Sequence, residues 1–380
     1  MELRYKIPCC IIRGGTSRGL YFLEQDLPPE GAERDALLLR AMGSPDKRQI
    51  DGLGGATSVT SKVAIVKVSD RPDADVEYTF AQVSVEKPIV SYKGNCGNIL
   101  SGVGPFAIEK GLVEARAPIT EVRIFNTNTG KTIVAEVQVE NGCVQYNGSY
   151  AIAGVPGTAA PVKLKFLKPA GTLCGRLLPT GNAVDTLEIP DFGTLSVSIV
   201  DAANPLVFVR AEDIGLTGTE LPQELEQNEQ KMELLEKIRG VAAVKLGILE
   251  DYTRSAWDMP GIPKMTFVAK PVSYKSTAGQ EVRADEVDLV SRMMSMQKPH
   301  QTYAMTGAMC TAAAAVVPGS IVAEAMGNYA NRDAIRIGHP GGVMEVGVAC
   351  EPGKDEPEIL YTAGYRTANL LMEGFLVCKK

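Results

Sequence analysis

Valine, isoleucine and threonine cluster in short runs through the first half of the chain. Residues 7–12 and 20–23 flank a Gly-rich turn, and 62–68, 76–85, 120–126 and 132–139 repeat the signature, so each is predicted to be a strand. Helical patterns are fewer. Residues 33–41 form one, and a second starts near Ile99, after a Gly-Asn pair, and runs to about Lys110, where Gly111 can end it. In the second half, a turn containing Pro and Gly at 178–182 opens a new unit. Strands are predicted at 195–200, 206–209 and 264–272. Leu225, Met232, Leu235 and Ile238 recur among Glu, Gln and Lys over 222–239, the mark of an amphipathic helix. Residues 285–296 are predicted to be helical, and 308–317, dominated by small residues, to begin a buried helix.

The chain has 380 residues, more than the roughly 250–300 around which one hydrophobic core grows. Two domains are expected, 1–182 and 183–380, with the last strand free to return to the first. Apolar residues make up 45% and charged residues 22%, enough for a full core. A net charge of −6 disfavours nucleic acid and anionic membranes as partners, and nothing in the composition opposes a homo-oligomer. No segment reaches the ~18 uninterrupted apolar residues of a membrane span. Glu2, Arg4 and Lys6 make the start read as a first strand and not as a signal peptide, so a cytoplasmic protein is expected. Eight dispersed cysteines without a Cys-x-x-Cys pair read as free thiols, and two histidines disfavour a histidine-rich metal site. No metal or cofactor is expected.

Against that background a few residues could carry chemistry. Cys96 lies in a Gly/Asn turn just ahead of a helix, whose free N–H groups and partial positive charge favour a thiolate. The alternative is an inert thiol beside a turn. Lys62 opens the apolar run 63–68, where burial would favour the neutral amine of a general base, unless its ammonium stays in water. The turn at 13–19 supplies Thr16, Ser17 and Arg18, a combination that can surround a carboxylate, or simply close a hairpin. A second Gly-rich segment, 51–58, contains Gly54 and Gly55 and fits no nucleotide-binding pattern. Asn204, before Pro205, could donate to a carboxylate or mark a turn, and His339, in Gly-His-Pro-Gly-Gly, could be a donor or a loop histidine. Cys96 and Cys310 each fall at an expected helix start, an echo that suggests two similar domains.

Taken in order, Arg-Gly-Gly-Thr-Ser-Arg-Gly (13–19), Gln-Ile-Asp-Gly-Leu-Gly-Gly-Ala-Thr-Ser (49–58), Ser61-Lys62, Gly-Asn-Cys-Gly-Asn (94–98) and Gly-His-Pro-Gly-Gly (338–342) resemble the 2-methylaconitate cis–trans isomerase family, which includes methylitaconate Δ-isomerases and 4-oxalomesaconate tautomerases. Phe-Asn-Thr-Asn-Thr-Gly-Lys (125–131) is most similar to the methylitaconate branch. The resemblance spans essentially the whole chain. It implies a diaminopimelate-epimerase-like α+β fold: two similar domains, each with a mixed sheet wrapped around a central helix, and an active site in the cleft between them. It implies Lys62 and Cys96 as the acid/base pair, and Ser61, Asn95, Gly97 and Asn98 beside them. Cys310 and Thr311 sit where an epimerase would carry its second cysteine, but Thr311-Ala312-Ala313 departs from the epimerase turn. The implied reaction is a cofactor-independent allylic proton shift on a small unsaturated di- or tricarboxylate. Its rivals are a two-cysteine racemase and a non-catalytic accessory to an aconitase-like hydratase.

Overall fold

A computed structural model describes residues 4–92, 96–152, 154–295, 297–326, 334–353 and 356–379. The chain divides into two compact units, Met1–Leu167 with Tyr365–Lys380, and Lys168–Gly364. The passage from one to the other at Leu167–Lys168 lies ahead of the 178–182 turn.

In the first unit, β1 (Arg4–Gly14) and β2 (Ser17–Leu23) form a hairpin closed at Gly14–Ser17. Helix α1 (Ala32–Met42) crosses over to β3 (Lys62–Val68), which lies parallel to β2. Strand β4 (Val76–Val83) returns antiparallel. Helices α2 (Gly97–Leu100) and α3 (Val103–Glu109) then lead to β5 (Ile119–Asn126), parallel to β4. Strands β6 (Lys131–Glu140) and β7 (Pro161–Leu167) follow antiparallel. The C-terminal strand, Glu358–Lys379, pairs with both β7 and β1 and closes the sheet on itself.

Strands β2 and β3 are covered on both faces and read as continuous apolar runs, whereas β5 alternates exposed and buried positions. Tyr21, Ala64, Val66, Tyr78, Phe80 and Val122 point inward and pack on Ile99, Leu100, Val103 and Phe106 of α2–α3. Leu20, Phe22, Val63 and Ile65 point outward beneath Leu37, Leu38 and Met42 of α1. Gly104 permits the close approach of helix and sheet, since a Cβ there would lie 2.9 Å from the Val137 side chain.

The second unit repeats the plan. Strands β8 (Gly193–Ala202) and β9 (Asn204–Arg210) form the hairpin, and α4 (Glu229–Lys245) crosses to a parallel β10 (Lys264–Ala269). Strand β11 (Leu289–Ser295) is antiparallel to β10. Helix α5 (Met305–Ala315) leads to β12 (Ala334–His339), parallel to β11. Strand β13 (Gly342–Glu351) and the start of the C-terminal strand follow antiparallel. The succession of antiparallel and parallel pairings matches that of the first unit, and each unit wraps a mixed sheet around a buried helix. This is the α+β, epimerase-like plan.

Three expectations change. Residues 285–296 hold a strand, not a helix, because Leu289–Ser295 is buried almost throughout and pairs on both edges, with β10 and β12. The 222–239 helix is two, Pro222–Glu226 and α4, with the Asn228 side chain accepting from Lys231 N at 3.1 Å to start the second. Helix α5 begins at Met305, so Cys310 lies inside it and not at its start. By position in the repeat, the counterpart of Cys96, which caps α2, is Ala304, which caps α5. Lys62, first residue of β3, corresponds to Lys264, first residue of β10. Among the described residues no helix is long and apolar enough to cross a membrane.

Candidate active site

Strand β3 carries Lys62, Ala64 and Val66 on its inner face, and β4 carries Tyr78, Phe80 and Gln82 on the same side. Lys62 therefore stands at the end of an apolar row, with its side chain half-buried. Its ammonium donates to Gln82 Oε1 at 2.7 Å and sits 5.1 Å above the Phe80 ring. The Gln82 amide is itself fixed, its Nε2 donating to the carbonyls of Ser61 at 2.9 Å and Ser58 at 3.1 Å.

The Gly-rich loop behind Lys62 is organised by Gln49, the first residue of the 49–58 motif, whose own role the motif does not reveal. Its Oε1 accepts from Ala56 N at 2.8 Å and from the Ser61 hydroxyl at 2.9 Å. Gly54 is required there because a Cβ would fall 2.2 Å from that same oxygen. Ser61, expected to bind substrate, is fully buried and its hydroxyl is taken up by Gln49 and the Thr57 carbonyl, so its role is to hold the loop. Gly55 faces outward from this loop onto the Arg18 guanidinium and Thr60, with a hypothetical Cβ 2.8 Å from Arg18 Nη2.

The β1–β2 turn meets the start of α2. Asn98 Nδ2 donates to Thr16 Oγ1 at 3.0 Å, and Gly14 lies against the Asn98 carbonyl. Ser17 is buried in the hairpin, whereas Thr16 is exposed. Cys96 caps α2: its carbonyl accepts from Leu100 N at 2.9 Å, and its half-buried side chain packs on the core that contains Phe80 and Tyr78. Among the described residues, no heavy atom lies within 4 Å of a hypothetical Cβ on Gly97, next to it. That glycine is demanded neither by packing nor by a left-handed backbone, and it leaves the first amides of the helix approachable. Asn95 lies outside the described residues. In the first unit, then, Thr16 bonds Asn98, Arg18 adjoins Gly55, and Lys62 and Cys96 both lie against the core that contains Phe80.

The 125–131 segment clamps this region from behind. Asn128 accepts from Phe80 N at 2.7 Å and donates to the carbonyls of Phe80 and Tyr92, locking β4 in place.

The remaining expected residues belong to the second unit. Asn204 opens β9 across the tight turn from Ala202 and is half-buried. Cys310 is fully buried, its thiol donating to the Val200 carbonyl at 3.2 Å, and desolvation raises its pKa far above that of an ordinary thiol. An acid/base role for it is not supported by this geometry. Thr311 is buried too, its hydroxyl shared with the Gly307 carbonyl and Tyr303 OH. His339 ends β12. Burial, with Arg292 nearby, pushes its imidazole down to about 4, so the ring is neutral near pH 7. Its Nδ1 accepts from Gly341 N at 3.1 Å, which leaves the proton on Nε2. Among the described residues no three His, Cys, Asp or Glu side chains cluster as a metal site would require.

An amine on a neutral amide acceptor and a thiol at a helix start are two groups able to give and take protons, set on one apolar surface. The family described as PrpF protein matches residues 4–379. The chain is 47% identical to the 3-methylitaconate isomerase of Eubacterium barkeri, covering 100% of this chain and 99% of that one. It is 41% identical to the 2-methyl-aconitate isomerase of Shewanella oneidensis, over 98% and 96% of the two chains. The crystal structure of a methylitaconate-delta-isomerase superposes with a TM-score of 0.93 at 46% identity, covering 100% of this chain and 96% of that one. With matches of that length and identity, the chain belongs to the PrpF family and is an isomerase.

Proposed function

We propose that the protein catalyses an allylic proton shift on a small unsaturated di- or tricarboxylate, with Lys62 and Cys96 as the acid/base pair. A base removes a proton from the carbon next to a carboxylate. The electron pair spreads over the alkene and that carboxylate, and an acid returns a proton two carbons away, so the double bond moves or rotates. No electrons leave the substrate. The observation that carries this reading is the common setting of the two groups: Lys62 Nζ stands over the Phe80 ring, and Cys96 packs on the core to which Phe80 belongs. The amides at the start of α2 are suited to the carboxylate on which charge develops. Methylitaconate and 2-methylaconitate, substrates in the names of the relatives above, are the first candidates.

Proton NMR of the pure protein in heavy water, with a panel of unsaturated di- and tricarboxylates, tests this. Deuterium should enter an allylic methyl or methylene group of one member of the panel. Interconversion without such exchange would overturn the proton-shift mechanism, and no turnover of any member would favour an accessory role. The racemase alternative needs a second exposed cysteine, and the burial of Cys310 weighs against it.

A further inference from the structure

Arg366 lies on the C-terminal strand, where that strand passes the β1–β2 turn. The junction is tightly built: Gly15 N donates to the Thr367 carbonyl at 2.8 Å, and Arg13 Nη1 donates to Thr367 Oγ1 at 2.9 Å. From there Arg366 Nε reaches Asn98 Oδ1 at 3.2 Å, and Asn98 in turn donates to Thr16. Gly15 makes room for this chain of contacts. Its φ is +51°, and a Cβ would lie 2.1 Å from Asn98 Oδ1 and 3.2 Å from Arg366 Cδ. Part of the Arg-Gly-Gly-Thr-Ser-Arg-Gly motif is thereby explained as space for an arginine from the far end of the sequence.

Arg366 is half-buried, and burial brings its pKa down to about 10. The bonds it makes are to neutral acceptors, Asn98 Oδ1 and the Tyr365 carbonyl at 2.8 Å. Among the described residues no carboxylate pairs with it, unlike Arg34, Arg123, Arg239 and Arg336 of the same chain. A half-buried cation without a counter-charge leaves a place that an anion can fill. Its field also reaches Cys96, whose negative charge would in turn favour the guanidinium.

We infer that Arg366 is the carboxylate anchor of the site, holding a carboxylate of the substrate so that the adjacent carbon faces Cys96. The inference rests on the proposed reaction for its substrate class. The planar guanidinium suits a carboxylate, and Asn98 fixes its plane through Nε.

The test separates the anchor from the reaction. Cys96 is alkylated with iodoacetate and with iodoacetamide, which differ only in charge, and labelling is followed by mass mapping. The parent protein should favour iodoacetate over iodoacetamide roughly tenfold more than a free thiol does, as a charge-assisted contact implies. Arg366→Gln should lose that preference, Arg366→Lys should keep part of it, and Arg116→Gln, an exposed charge change elsewhere, should keep all of it. For turnover, Arg366→Gln should raise KM for the polycarboxylate more than it lowers kcat. A folded Arg366→Gln protein that retains the iodoacetate preference overturns the inference. Equal slowing by both reagents overturns it too, since that would make Arg366 only a prop for Asn98. If the preference is present and lost as stated but no polycarboxylate turns over, the anchor stands and the reaction assignment fails.

Discussion

Lys62 Nζ and Gln82 Oε1 are 2.7 Å apart, and the Gln82 amide is locked by two backbone carbonyls so that only its oxygen can face the lysine. A neutral acceptor at that place aims the amine without supplying a charge that would hold its proton. Changing the acceptor should therefore be read in rate. Gln82→Glu adds a carboxylate that pairs with the ammonium and should lower kcat at neutral pH by roughly tenfold to a hundredfold, with recovery as pH rises. Gln82→Leu leaves the amine unaimed and should lower kcat less steeply with no such recovery. Full activity of Gln82→Glu at neutral pH would show that the contact does not matter for catalysis.

Gly97 gives a second prediction because none of the described residues packs where its side chain would stand. Gly97→Ala should unfold at the parent temperature or slightly above, since alanine restricts the unfolded chain and suits a helix start. Its methyl group would stand beside Cys96, however, and substrate KM should rise several-fold. Thermal unfolding and steady-state kinetics on one preparation decide the matter, and unchanged KM would remove Gly97 from the site.

His339 links pH to stability. Its folded pKa of about 4 lies below the ~6.5 of an unfolded histidine. The folded state thus binds fewer protons over that range. The resulting stability is complete above pH 6.5 and is lost as pH falls towards 4, on the order of 3 kcal/mol. His300 is shifted in the same direction by burial and adds to the effect. His339→Gln should flatten the fall in melting temperature over pH 6.5 to 4, measured by circular dichroism. An unaltered slope would mean that other groups govern acid unfolding.

Alkylation supplies a fourth. Cys96 is half-buried at a helix start, whereas Cys9, Cys10 and Cys310 are buried and have their thiol pKa values raised by desolvation. Iodoacetamide should inactivate the protein and label Cys96 ahead of those three, and saturating substrate should slow the labelling. Cys143 and Cys350 are exposed and should also react, without loss of activity. Inactivation with Cys96 unmodified would contradict its assignment.

How far these features could be read in advance differs from residue to residue. Strand β3 was visible at its true limits, Lys62–Val68, because a Ser/Thr turn abuts an unbroken apolar run. Strand β11 was not, since burial on both faces removes the alternation that distinguishes strand from helix, and its methionines suit either. Three residues of error in the start of α5 were enough to move Cys310 from a helix end into a helix interior. Gln82 left a signal that could have been used, being a polar side chain in register with the core residues Tyr78 and Phe80. Arg366 left none, because the return of the last strand to the first domain could be expected but not the register against β1 that brings Arg366 near Thr16 and Asn98.

In the proposed reaction Lys62 moves a proton rather than anchoring an anion. Lys62→Arg keeps the positive charge and length but cannot release its proton at working pH. Under saturating substrate, with folding checked by circular dichroism, kcat of Lys62→Arg should fall by ~10²–10⁴-fold, nearly as far as that of Lys62→Ala. A Lys62→Arg enzyme within a few-fold of the parent, with Lys62→Ala impaired chiefly in KM, would show that Lys62 anchors an anion and moves no proton.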